Sequence, residues 1–234
     1  MDLDIAGNIE RLEEKIEIAS GRAGRKRQEI KLMAVSKFHP LEAIEIALKA
    51  GIRLFGENRV KEAVAKYQDF RESRSGTEIH LIGSLQRNKA KTAAAFFDCI
   101  QSVDRDSLID ELGALTQGRE NPLMILLELH TAEDTKSGFP DRDSLFRAAD
   151  RILSFPGLKP AGLMTMAPFS ADKTLIRSSF RELAGANDEL KRRFPGTGNW
   201  FCLSMGMTND YEIAIEEGST LIRIGTAIFG ERGI

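Results

Sequence analysis

Short apolar runs alternate with longer amphipathic segments along almost the whole of this chain. The runs read IKLMAVSK, IRLFGEN, IHLIGSL, DCIQSVD, LMILLELH, AGLMTMAP, WFCLSMG and TLIRIG. Each is rich in Ile, Leu, Val or Met and shows little apolar–polar alternation. Strands of that kind are covered on both faces, as parallel strands in α/β proteins are. Between them lie helical patterns, for example 41–50, 59–70, 145–153 and 176–190. Eight repeats of strand then helix in 234 residues predict an α/β fold, a single (β/α)8 barrel over residues 1–234. Ile5, Ile9, Leu12, Ile16 and Ala19 are spaced as one helical face and predict an additional N-terminal helix. A doubly wound open sheet is the rival; it requires a reversal of strand order that sequence does not display.

The formal charge of −2 argues against a general nucleic-acid or membrane surface. The one basic cluster, between Arg22 and Lys31, reads as a solvated helix end. Cys99 and Cys202 lie far apart in apolar surroundings, as buried thiols in a reducing cytoplasm would. No stretch resembles a signal peptide or reaches the length of a bilayer span. His39, His80 and His130 fall in no metal-binding spacing.

Barrels of this kind carry their active sites at the C-terminal strand ends. Those ends hold Ser36-Lys37, Glu57-Asn58, Gly83-Ser84, Glu128-His130, Met164-Met166, Ser204-Gly206 and Gly225-Thr226, among others. Lys37 shares a strand face with Met33 and Val35. Facing the barrel axis, its amine would be partly desolvated and nucleophilic, able to form Schiff bases with carbonyls. The alternative is a lysine snorkelling outward at a strand end. Arg223 stands inside an apolar run, and a buried guanidinium requires a partner: Glu57, Glu128 or an acceptor on a ligand. After the seventh and eighth runs come SMGMTNDYE and IGTAIFG, where barrels often hold phosphate. Gly206 and Gly225 would admit an anion to the backbone, Ser204 and Thr226 would add hydroxyls, and Asn209 with Glu212 forms a variant capping box. A Schiff-base lysine, a buried arginine and a phosphate cradle together fit pyridoxal 5′-phosphate (PLP), with Arg223 donating to the pyridine nitrogen.

The stretches AVSK, FGEN, HLIGSLQRNK, SVD, KSGF, GLMTMAP, LSMGM and STLIRIGTAIFG, spread from residue 34 to 230, resemble the pyridoxal phosphate homeostasis protein family. That family is also called the proline synthase co-transcribed homologues. The resemblance implies a fold similar to the N-terminal barrel of alanine racemase. It implies that Lys37 bonds the cofactor and that Asn58 lines its ring. It also implies that Ser204, Gly206, Gly225 and Thr226 hold the phosphate, while Arg223 faces the ring nitrogen. Phe38 and His130 depart from the residues many relatives carry there, Thr and Asn.

Two classes of function follow. One is a PLP-dependent amino-acid racemase or related enzyme. The other binds, buffers or delivers the cofactor without turnover, apo-enzymes being the recipients. Racemisation needs an acid/base on each face of the substrate carbon, and no Tyr or Cys ends a strand opposite Lys37. A guanidinium donates to the ring nitrogen without giving up its proton, which leaves a poorer electron sink. The chain also stops four residues after Gly230, where alanine racemases continue into a β domain that helps form their site, so a monomeric carrier is expected. A cofactor-free Schiff-base aldolase accommodates Lys37 and the cradle but leaves Arg223 less well explained.

Overall fold

The computed structural model describes residues 4–73, 76–132, 137–197 and 200–230. Its strands are β1 (Lys31–Val35), β2 (Leu54–Glu57), β3 (Glu78–Leu81), β4 (Cys99–Val103), β5 (Leu123–Glu128), β6 (Leu158–Met164), β7 (Cys202–Ser204) and β8 (Leu221–Ile224). They pair in parallel in chain order and close between β1 and β8, as in a (β/α)8 barrel. All eight runs therefore became strands, and the doubly wound alternative is excluded. The helices are α1 (Ile5–Arg22), α2 (Leu41–Lys49), α3 (Val60–Ser73), α4 (Ala90–Phe96), α5 (Asp106–Leu115), α6 (Arg142–Leu153), α7 (Lys173–Arg193), α8 (Tyr211–Glu216) and α9 (Thr226–Phe229).

The additional helix α1 begins at Asp4, whose carboxylate accepts the Gly7 N–H at 2.9 Å, a side-chain N-cap. Ile5, Ile9, Leu12, Ile16 and Ala19 are all buried, and α1 packs on α2, α8 and α9. The basic cluster after it departs from the expected solvated end. Arg25 donates to the carbonyls of Ile215 (3.0 Å) and Ser219 (2.7 Å), and Arg27 pairs with Glu13 at 2.7 Å. Backbone carbonyls left over at the end of α8 are acceptors no sequence pattern displays, and Arg25 satisfies them.

Strand alternation divides the core. Leu32, Ala34, Ile222 and Ile224 face the helices, whereas Met33, Cys99, Cys202 and Leu221 fill the barrel interior. Outside the barrel, a buried ion pair ties α3 to the ends of β1 and β2. Lys66 Nζ lies 2.9 Å from Glu57 Oε1 and donates to the Ser36 carbonyl at 2.8 Å. The Ser36 hydroxyl donates to the same carboxylate oxygen at 2.8 Å and meets the Tyr67 hydroxyl at 2.7 Å. Burial, with Glu57 beside it, pushes the Tyr67 phenol up, so it stays protonated. Lys66→Met would strand a carboxylate of zero exposure. We expect it to lose about 3–5 kcal/mol in urea unfolding, much of it recovered by adding Glu57→Gln. A single variant as stable as wild type would show that the Lys66–Glu57 pair adds nothing to stability.

Candidate functional site

A cavity of about 600 Å³ opens at the C-terminal end of the barrel. Lys37 reaches it because inward alternation continues past β1: Met33 lies in the interior, and Val35 and Lys37 line the cavity. Ser36, on the opposite face, points to Glu57 and Tyr67. The turn after Lys37 is set by Phe38, which takes φ = 68°, a conformation uncommon for a bulky residue. Its ring is half exposed, with the Arg59 guanidinium 5.6 Å from the ring centre.

Asn58, Arg223, Gly225 and Thr226 join Lys37 in the lining. The structure thus brings five of the seven residues singled out in the sequence to one cavity, while Ser204 and Gly206 stand behind it. The Ser204 hydroxyl donates to Gln101 Oε1 at 2.6 Å and accepts from Arg223 at 2.7 Å. Gly206 has φ = +97°, and a Cβ there would stand 2.6 Å from that of Ala214. Its lack of a side chain is thus explained by backbone conformation and packing against α8.

Arg223 is paired with none of the carboxylates first considered. It donates to the Ser204 carbonyl (2.6 Å), the Ser204 hydroxyl (2.7 Å) and the Thr165 carbonyl (2.8 Å). Burial lowers its affinity for the proton, and the charges of Asp210 and Glu128 oppose that. Burial likewise raises the carboxyls of Glu128 and Asp210. Glu57 is engaged on the outer face of the barrel with Lys66.

The capping box expected from Asn209 and Glu212 does not form. Helix α8 starts after Asp210, whose Oδ1 accepts the Met207 N–H at 2.5 Å, closing the turn one residue later. Asn209 and Thr208 line the cavity instead, as does the loop after β6, including Pro168 and Phe169. Those loop positions carried no signal, since loops present side chains without periodicity. Met164 and Met166 line the cavity beside them.

The histidines and cysteines noted in the sequence lie elsewhere. His80 is buried in β3, its Nδ1 2.9 Å from Gln101 Nε2. His130 Nδ1 lies 3.3 Å from the Ser137 carbonyl, and His39 stacks on Phe229 with ring centres 4.7 Å apart. Lys89 and Lys91 are exposed, and Lys136 falls outside the described residues. Both cysteines face a second cavity, of about 380 Å³, at the N-terminal end, where burial pushes the Cys202 thiol up to about 11. Among the described residues, no cluster of His, Cys, Asp or Glu could hold a metal, and no helix is long and apolar enough to cross a membrane.

The arrangement offers an amine and a guanidinium across one pocket, with a small-residue turn beside them. Residues 8–233 match the family model for the alanine racemase N-terminal domain. A protein of Vibrio cholerae named pyridoxal phosphate homeostasis protein is 40% identical over 231 residues, covering 97% of this chain and 96% of its own. PipY of Synechococcus elongatus PCC7942, solved with PLP bound, is 32% identical with a TM-score of 0.83, covering 97% of this chain and all of that one. Alanine racemase of Bacillus anthracis shares the fold at 17% identity and a TM-score of 0.70, over 98% of this chain and 56% of that one.

Proposed function

The chain belongs to the pyridoxal phosphate homeostasis protein family, built on the alanine racemase N-terminal domain, and from that premise we propose that it binds PLP and serves cofactor homeostasis without turning over a substrate. The observation that carries this is the convergence of Lys37, Asn58, Arg223, Gly225 and Thr226 on one cavity. The donor set fits the group: an amine for an aldehyde, a cation for a ring nitrogen, and a turn without bulk for a phosphate.

PLP contributes an aldehyde that condenses with amines and a ring that withdraws electrons. The protein does the rest. Lys37 would hold the group through its amine, the Schiff-base partner that its aldehyde calls for. Arg223, held by two carbonyls and a hydroxyl, would donate to the ring nitrogen with its remaining N–H groups and keep its own proton. Asn58 would line the ring, and the backbone of Gly225 and Thr226 would receive the phosphate, helped by the Thr226 hydroxyl. Ser204, whose hydroxyl is already engaged, braces Arg223 in this reading.

The carrier reading is favoured over a racemase by the lining. Among the described residues it presents neither Tyr nor Cys. Tyr67 is bonded to Ser36 on the outer face, and Cys99 and Cys202 face the opposite mouth. A second acid/base opposite Lys37 has no such group to supply it. Delivery to apo-enzymes in the cytoplasm belongs to the same reading.

The test is titration with PLP followed by borohydride reduction and peptide mapping. The expected result is a yellow protein whose pyridoxyl mass lies on Lys37. A label wholly on another lysine would overturn the assignment. Racemisation of common amino acids should be negligible; turnover of even about 1 s⁻¹, the low end for ordinary enzymes, would overturn the carrier reading.

A further inference from the structure

A chain of hydrogen bonds crosses the barrel interior from Arg223 to the opposite wall. Its members are the third residues of β8, β7, β4 and β3: Arg223, Ser204, Gln101 and His80. All four are buried, with Ser204 and Gln101 at zero exposure. The links are 2.7 Å from Arg223 to Ser204 Oγ, 2.6 Å from Ser204 Oγ to Gln101 Oε1, and 2.9 Å between Gln101 Nε2 and His80 Nδ1.

The bonds of this chain run in one sense. A guanidinium only donates, so the Ser204 oxygen accepts from Arg223 and its proton goes to Gln101. Gln101 presents its oxygen to Ser204 and its NH₂ to His80. His80 Nδ1 must then accept, which places the ring proton on Nε2, 3.3 Å from Glu78 Oε2. In this arrangement each group is oriented to suit its neighbours, and the sequence begins at the cation.

From this the geometry points to Gln101 as a positioning residue for the cofactor ring, with His80 fixing the direction of its amide. Gln101 touches no part of the cavity; it acts through Ser204 and Arg223. This rests on the reading that Arg223 faces the pyridine nitrogen. The carbonyls of Ser204 and Thr165 hold the guanidinium from one side. Among the described residues, the Ser204 hydroxyl is the side-chain contact of Arg223 whose strength a neighbour can set, and hydrogen bonds in series polarise one another.

Two measurements test it. In the unliganded protein, ¹⁵N NMR of the His80 ring should find Nδ1 unprotonated and Nε2 protonated; a proton on Nδ1 would overturn the chain's direction without reference to any cofactor. The second compares PLP with its deaza analogue, in which C–H replaces the ring nitrogen. Wild type should prefer PLP by about tenfold, the effect of one hydrogen bond to a charged group. Gln101→Leu should bring that ratio towards one and shift the absorption maximum of bound PLP. His80→Leu should do the same in part, and His80→Asn, whose Oδ1 can take the place of Nδ1, should restore the ratio. These paired variants keep the test decisive if Gln101→Leu fails to fold. Folded variants that keep the wild-type ratio and band would show that the network holds the barrel alone. A wild type that does not bind PLP would instead sink the functional reading.

Discussion

Lys37→Ala should purify colourless, show no imine band on addition of PLP, and give no pyridoxyl peptide after borohydride. The loss should be complete for the aldehyde chemistry and partial for binding. Arg223, Asn58 and the Gly225–Thr226 turn line the cavity independently of Lys37, so the contacts proposed for ring and phosphate would remain. Pyridoxamine phosphate lacks the aldehyde and draws on those contacts alone. It should bind Lys37→Ala and wild type with similar affinity, while PLP loses its advantage over pyridoxamine phosphate in the variant. Calorimetry with the two ligands measures both quantities. A persistent band at the imine wavelength in Lys37→Ala would assign the covalent link to another amine. Equal loss of both ligands would mean that the substitution disturbed the turn held by Phe38 at φ = 68°.

Much of this site could be read before the fold was known, for reasons that particular residues make plain. Lys37 ended an apolar run in phase with Met33, and a period of two is robust over five residues. Arg223 stood out because a charge inside TLIRIG has to be explained. Its actual partners were not legible: two of the three are backbone carbonyls, from Ser204 and Thr165, which every residue carries. Gln101 is equally conspicuous in DCIQSVD, a polar residue within an apolar run, yet its links to β3 and β7 exist only once the barrel has closed. The direction of Ser204 was likewise hidden. A strand-end serine reads as a ligand donor until the guanidinium inside the barrel claims its oxygen. Asn209 is not the cap because the helix begins one residue later, after Asp210, whose carboxylate accepts from Met207 and not from the helix's first turn.

The two glycine turns, alike in sequence, should respond in opposite ways to substitution. At Gly225 the backbone has an ordinary φ of −111°. A Cβ there would lie 3.3 Å from the Val35 carbonyl oxygen and 3.4 Å from the Val35 Cβ, a crowding that a shift of a few tenths of an ångström relieves. Gly225→Val should therefore fold, with its added methyl groups crowding the cavity wall. If the backbone N–H groups of Gly225 and Thr226 receive the phosphate, two hydrogen bonds to a dianion are displaced. Each is worth roughly ten- to a hundredfold, so PLP affinity should fall by at least about a hundredfold. Pyridoxal, which lacks the phosphate, should bind wild type poorly and lose little more in the variant. At Gly206 the predicted defect is in the fold. Its φ of +97° is unfavourable to any side chain, and the Cβ would collide with α8 at Ala214. Gly206→Ala should lose about 1–3 kcal/mol in unfolding, and the fraction that folds should bind PLP nearly as wild type does. Thermal melts and PLP titrations on both variants separate the two outcomes. Gly225→Val binding PLP as tightly as wild type would place the phosphate elsewhere. A stable Gly206→Ala that no longer binds PLP would place it at the turn after β7.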